Sequence, residues 1–157
     1  MSDNDKLDGL LKELEAELQS VQNASETDLV IDTIQLDESA LTTPKLNAKW
    51  MNKYNEQVMI LKDLYAYKDA VKLERWKYYT GKQTSEYIAR HGVLHEKILK
   101  SDVEIYMNAD PVLTKVNQVI SAQKTIVDHI ERVLKEIGNR GFHIKSAIEW
   151  RRFMNGG

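Results

Sequence analysis

The stretch Asp110–Ile137, DPVLTKVNQVISAQKTIVDHIERVLKEI, carries the clearest architectural signal in the chain. Asp110 followed by Pro111 is a strong helix start: an acid able to cap the first turn, then a proline whose missing N–H has no intrahelical bond to lose. From there Leu113, Val116, Ile120, Gln123, Val127, Ile130, Leu134 and Ile137 alternate at spacings of 3 and 4, which is a heptad seam. A second row, Val112, Val119, Ile126 and Val133, repeats every 7 residues beside it. Seam and row together make a face too wide for one partner helix, so this helix needs at least two neighbours. They can come from within the chain, as a single-chain bundle, or from other copies. We expect a ring-like or bundled homo-oligomer, with Leu113, Val116, Ile120, Val127, Ile130, Leu134 and Ile137 as the oligomerisation residues.

The rest of the sequence is consistent with an all-α chain of long helices. In 157 residues there are only 2 prolines and 7 glycines, too few for a turn-rich fold. Pro44 is a plausible helix start, and one helix is expected from Lys45 to Tyr79. Around it, Leu46, Trp50, Tyr54, Val58, Leu61, Leu64 and Tyr65 fall within a sector of about 120° and form an apolar stripe, with Glu56, Asp63 and Glu74 on the far side. Gly81 closes that helix, and Thr84 or Ser85 caps a shorter one running to about Leu99. The run Gly138-Asn139-Arg140-Gly141 is expected to break the last long helix, leaving Phe142–Phe153 as a final amphipathic turn with Phe142, Ile144, Ile148 and Trp150 on its apolar side.

Charge is divided unevenly. Residues 1–40 hold 11 acids and 2 bases, whereas residues 41–157 hold 20 bases and 13 acids. An acidic arm joined to a basic body suits either nucleic-acid binding by the body or a solvated tail. Leu7, Leu11, Leu14, Leu18 and Val21 alternate at 4 and 3, but so short a helix needs a partner surface. With Asn23–Asp28 as a polar linker, residues 1–28 are expected to form a mobile acidic arm, followed by a helical DNA-binding and oligomerisation domain over 29–157. The chain has no cysteine and hence no disulfide or thiolate chemistry. It contains no run of about 20 apolar residues, and its acidic first residues are unlike a signal peptide. A soluble intracellular protein is expected.

Function is most legible at Lys68–Lys82, KDAVKLERWKYYTGK. Lys68, Lys72, Arg75 and Tyr79 share one helical stripe with Trp76 beside it. Cations neutralise phosphates and aromatic rings stack on unpaired bases, a combination suited to single-stranded nucleic acid. Lys68, Lys72, Arg75, Trp76, Lys77, Tyr78, Tyr79 and Lys82 are therefore the candidate DNA-binding residues. The alternative is a solvated basic face with the aromatics packed in the core. No phosphate loop of the GxxxxGK[ST] kind is present. His91 and His95 have i, i+4 spacing but no third ligand at a defensible position, so no metal site, no cofactor and no catalytic residue are expected.

Five segments together suggest a family: VIDTIQLDESA from residue 30, AKWMNKY at 48–54, ERWKYYTGK at 74–82, NADPVLTKV at 108–116 and NRGFHIK at 139–145. In this order they resemble the UvsY recombination mediator family of T-even-like phages. The specific elements are Arg75, Tyr78, Tyr79 and Gly81, and Arg140, Gly141, Phe142, Ile144 and Lys145. The resemblance implies a non-enzymatic protein, active in the cytoplasm of the infected bacterial host, that binds single-stranded DNA as a homo-oligomer of six or seven subunits. Its implied partners are the phage recombinase and the phage single-stranded-DNA-binding protein. Its implied role is to help load the recombinase onto strands covered by that binding protein, in recombination, replication and repair. Two positions before Arg75, where the family has a basic residue that contributes to DNA binding, this chain has Leu73, with Lys72 just before it. A structural coiled-coil scaffold or assembly chaperone, docking an acidic protein on the basic face, is the competing function.

Overall fold

A computed structural model of the chain describes residues 3–156. It contains α1 (Asp3–Asp28), α2 (Leu36–Tyr79), α3 (Ser85–His91), α4 (Val103–Asn108) and α5 (Pro111–Met154), and no strand among the described residues. None of these helices is long and apolar enough to cross a membrane. Two compact units are present: residues up to Glu13 with Ile60–Ala122, and Leu14–Met59 with residues from Gln123 onward. The three long helices each contribute to both.

In the first unit the core contains Leu7 of α1, Val71 of α2, Val103 and Met107 of α4, and Leu113, Val116, Val119 and Ile120 of α5. In the second it contains Leu14 and Val21 of α1, Leu36 and Trp50 of α2, and Ile126, Val127, Ile130, Val133, Ile137 and Ile144 of α5. Most of the heptad seam and of the flanking row of α5 is thus buried inside one chain, with Val119, Ile126 and Ile130 fully enclosed and Val112 half-buried. Leu134 is half-buried. The wide face meets its neighbours within the chain, so most of the seam is already buried in the single subunit.

Helix α2 starts nine residues before the expected Lys45, and Pro44 lies inside it. The Asp32 carboxylate accepts from the N–H groups of Ile34 (2.7 Å) and Gln35 (3.3 Å), and the Asp32 N–H donates to Ser39 Oγ (3.2 Å). This satisfies donors at the start of the helix, and Asp37 and Glu38 in the first turn complement its dipole. An internal proline costs about 3 kcal/mol. Burial of Leu36, Ser39 and Trp50 on either side of Pro44 keeps the helix continuous. Buried positions of α2 recur every seven residues at Leu36, Trp50, Gln57, Val71 and Tyr78, with Thr43 and Leu64 half-buried in the same row.

Two further boundaries differ from expectation. Residues 23–28 continue α1 rather than forming a linker. Helix α5 runs through Gly138 and Gly141 without a break, because Ile137, Arg140 and Ile144 are buried at spacings of 3 and 4 and extend its inward face. Arg140 fixes this region: its Nη1 donates to the carbonyls of Leu29 and Val30, at 3.0 Å each. Nearby in the same unit, Asp28 accepts from Trp50 Nε1 (3.0 Å) and Lys49 Nζ (2.6 Å). An inward-facing glutamine pair also lies in this unit. Gln123, fully buried, donates through Nε2 to Gln57 Oε1 (2.7 Å) and to the Gln57 carbonyl (2.9 Å), while its own Oε1 has no partner.

Candidate nucleic-acid interface

The end of α2 divides the expected binding residues into two groups. Arg75 is 7 % exposed, and Tyr78 and Tyr79 are buried. Arg75 Nε donates to Asp110 Oδ2 at 2.6 Å, and the Tyr79 hydroxyl donates to the same oxygen at 2.7 Å. Asp110 Oδ1 accepts from the Leu113 N–H at 2.9 Å, so this buried carboxylate also caps α5. The guanidinium carbon lies 4.6 Å from the Tyr78 ring centroid and 5.4 Å from that of Tyr79, within cation–π range. Burial works against the charge on Arg75, but hydrogen bonds with Tyr87, Tyr79 and Asp110, and the charge of Asp110, outweigh it and hold its pKa above the ordinary arginine value. Burial and the bond to Asp110 push the Tyr79 hydroxyl up, with Arg75 opposing them.

This network is a clamp. It ties the last turn of α2 to the first of α5, and Tyr78 adds a bond from its hydroxyl to the Gly92 carbonyl (3.1 Å) beyond α3. A phosphate taking the place of Asp110 would have to break a buried ion pair, which is costly.

Lys72, Trp76, Lys77 and Lys82 point to solvent, Lys68 is half-buried, and Leu73 is exposed. Lys72 and Trp76 are one turn apart and share a face. After α2 the chain reverses through Thr80 and Gly81. Gly81 has φ +69°, the Lys82 N–H bonds back to the Lys77 carbonyl at 2.8 Å and the Gly81 N–H to that of Tyr78 at 3.2 Å. This is the left-handed glycine closure expected from sequence. It carries the Lys82 ammonium to 4.3 Å from the centroid of the Trp76 ring. The clamp therefore positions the turn, and the turn positions a cation over an indole that is 39 % exposed.

Beside them opens a cleft of about 680 Å³, which Trp76, Tyr79 and Lys82 share with Lys97, Lys100 and Val103. Lys97 and Lys100 are absent from the expected set, since the capping signals predict helix from Ser85 to about Leu99. Gly92, at φ +90°, instead ends α3 at His91, and the chain from there to α4 is irregular. The only sequence signal for these lysines is their charge within LHEKILK. The expected start of α3 does hold, with Thr84 accepting from the Tyr87 N–H. His91 stacks on Tyr87 at 4.1 Å, and among the described residues no group of three or more His, Asp or Glu is placed to hold a metal ion.

No curated protein sequence matches the chain. Among solved structures it is similar to the recombination mediator protein UvsY of bacteriophage T4. One crystal form aligns with 25% identity over 88% of this chain and 97% of that one, at TM-score 0.76. A second gives 24% identity, coverage of 86% and 98%, and TM-score 0.75. The family model for "Recombination, repair and ssDNA binding protein UvsY" matches residues 24–157, which leaves most of α1 outside the match and includes the clamp, the turn and the cleft. The chain belongs to the UvsY family.

Proposed function

We propose that this protein is a non-enzymatic recombination mediator. It binds single-stranded DNA and helps load a phage recombinase onto strands covered by the phage single-stranded-DNA-binding protein, in recombination, replication and repair within the host cytoplasm. Family membership and the likeness to the T4 mediator support this reading. The observation that carries it is the exposed Trp76 with the Lys82 ammonium over its ring, beside the cleft that Lys97 and Lys100 also line. Cations and a stacking face in one place suit a strand whose bases are unpaired. Lys72 and Lys77 extend the cationic surface along α2, while Arg75, Tyr78 and Tyr79 hold it in shape.

A few phosphate contacts per subunit give weak binding, and a homo-oligomer of six or seven subunits multiplies it through effective concentration. Since the α5 seam is occupied within each chain, the subunits meet over other surfaces. The exposed Phe142, Trp150, Phe153 and Met154 near the end of α5 are the apolar candidates. The test is binding of a fluorescent single-stranded oligonucleotide across a salt series, with duplex as control and sedimentation on the same samples. Tight, salt-sensitive binding that prefers single strands, by a species several subunits large, is expected. Absence of binding at low salt would reject the proposal.

A second reading, a scaffold that docks acidic protein segments on its basic surface, is favoured by one feature. Helix α1 places Asp8 against Lys115 in one unit, and in the other Glu17 against Lys53 at 2.9 Å and Asp28 against Lys49 at 2.6 Å. The body's lysines thus already accept an acidic helix. Competition between oligonucleotide and an acidic peptide separates the two readings.

A further inference from the structure

The geometry points to the cleft beside Trp76 as a pocket for a single unpaired nucleobase with its flanking phosphate, an inference that rests on the single-stranded-DNA reading and deepens it. Three observations meet there. Trp76 is half-open to solvent at the end of a helix fixed by the Arg75–Asp110 clamp, so its ring is presented on a rigid support. Tyr79 also lines the cleft, and because its hydroxyl is committed to Asp110 it offers only ring surface. Lys82, Lys97 and Lys100 surround these rings and outnumber the acid Glu96 in the lining, a balance that favours an anionic ligand. The cleft's 680 Å³ lies in the range of roughly 300–1,000 Å³ typical of small-ligand sites.

Magnitudes decide what occupies the indole face. An exposed cation–π contact such as Lys82 on Trp76 is worth roughly two- to fivefold in an equilibrium constant. Stacking of a base on an aromatic side chain is worth about fivefold to over a hundredfold. A base therefore displaces the ammonium, and the released Lys82 is within reach of the phosphate attached to that base. Paired bases cannot enter without being flipped out of the duplex, which costs energy that an unpaired base does not spend. The pocket thus discriminates single from double strands at one nucleotide per subunit without reading sequence.

The experiment compares a fluorescein-labelled oligothymidylate with an abasic strand of the same length, which keeps every phosphate and lacks every base. The full-length protein should bind the thymidylate at least about fivefold more tightly than the abasic strand. Trp76→Leu should remove that difference by weakening only thymidylate binding, with the salt slope unchanged. Lys97→Ala with Lys100→Ala should flatten the salt slope for both strands. Should Trp76→Leu misfold by circular dichroism, Trp76→Phe supplies a smaller stacking face and should give an intermediate difference. Equal affinity of the native protein for both strands overturns the pocket while leaving single-stranded-DNA binding intact. Failure to bind either strand overturns both. Displacement of the thymidylate by polyglutamate at matched charge would make the cleft an acidic-peptide site and overturn the inference as well.

Discussion

Arg75→Ala tests whether the most conspicuous cation of the basic stretch contacts DNA or holds the fold. Truncation removes the 2.6 Å bond to Asp110 and the weaker contacts of the guanidinium with the Tyr79 and Tyr87 hydroxyls at 3.4 and 3.5 Å. It also removes the cation from beside the Tyr78 and Tyr79 rings. What remains is an Asp110 side chain with no solvent exposure and no counter-charge, still accepting from Tyr79 and Leu113. Removing one partner of a buried ion pair costs about 3–5 kcal/mol, against a total stability on the order of 5–15 kcal/mol. With a urea m-value of about 1–3 kcal/mol/M, the unfolding midpoint followed by circular dichroism should fall by roughly 1–5 M. Arg75→Met with Asp110→Asn keeps an acceptor at the α5 cap and removes the orphaned charge, so it should recover at least half of the loss. A midpoint within about 0.3 M of the native value, together with weakened DNA binding, would refute the clamp and return Arg75 to the strand-binding surface.

Three other perturbations probe the rest of the fold. Gln123→Leu leaves Gln57 Oε1 without its buried donor and should cost about 1–3 kcal/mol in urea unfolding. Adding Gln57→Leu removes both members and should restore or exceed native stability, whereas a larger loss in the double variant would show that the pair is worth more than an apolar contact. Gly138→Ala and Gly141→Ala should each raise stability by about 0.5–1 kcal/mol, because both glycines are inside α5 and a Cβ at either meets no neighbour. A drop in melting temperature would instead indicate a helix end at this point. His129, whose Nε2 lies 3.1 Å from Ser25 Oγ, has its pKa lowered by burial and then by Arg132. Its stability contribution is therefore complete above the ordinary histidine pKa of about 6.5 and is lost as pH falls through the folded value. Melting temperature should decline below about pH 6.5, and His129→Gln should flatten that decline. An unchanged profile in the variant would assign it to other groups.

Local signals in the sequence are recovered with fidelity. Asp110-Pro111 starts a helix, Gly81 closes one through a left-handed turn, and Thr84 caps the next. The errors arise where tertiary contacts override local chemistry. Pro44 and Gly138-Asn139-Arg140-Gly141 resemble helix boundaries, yet buried residues on both sides hold each helix straight through. Asn23–Asp28 is polar enough for a linker but includes Ser25, buried and bonded to His129 104 residues away. The burial of Arg75 is hidden from sequence for the same reason. Its spacing puts it on a cationic stripe, and only the fold brings Asp110, 35 residues later, beneath it. Position 75 also falls on the inward face of α2, one turn after buried Val71. In the opposite sense, Lys97 and Lys100 join the site through a loop whose path no periodicity predicts.

The central claim, that the exposed cations at the end of α2 hold single-stranded DNA, is tested most directly by the salt dependence of oligonucleotide affinity in Lys72→Ala/Lys77→Ala/Lys82→Ala beside the native protein. Each phosphate contact contributes about 0.7 to the slope of log K against log salt for single strands. With each of these lysines on one phosphate, the account predicts a slope shallower by about 2 in the variant. The urea midpoint should stay unchanged, since all three side chains lie outside the core. A native slope and affinity in this folded variant would contradict the claim and place the strand elsewhere on the molecule.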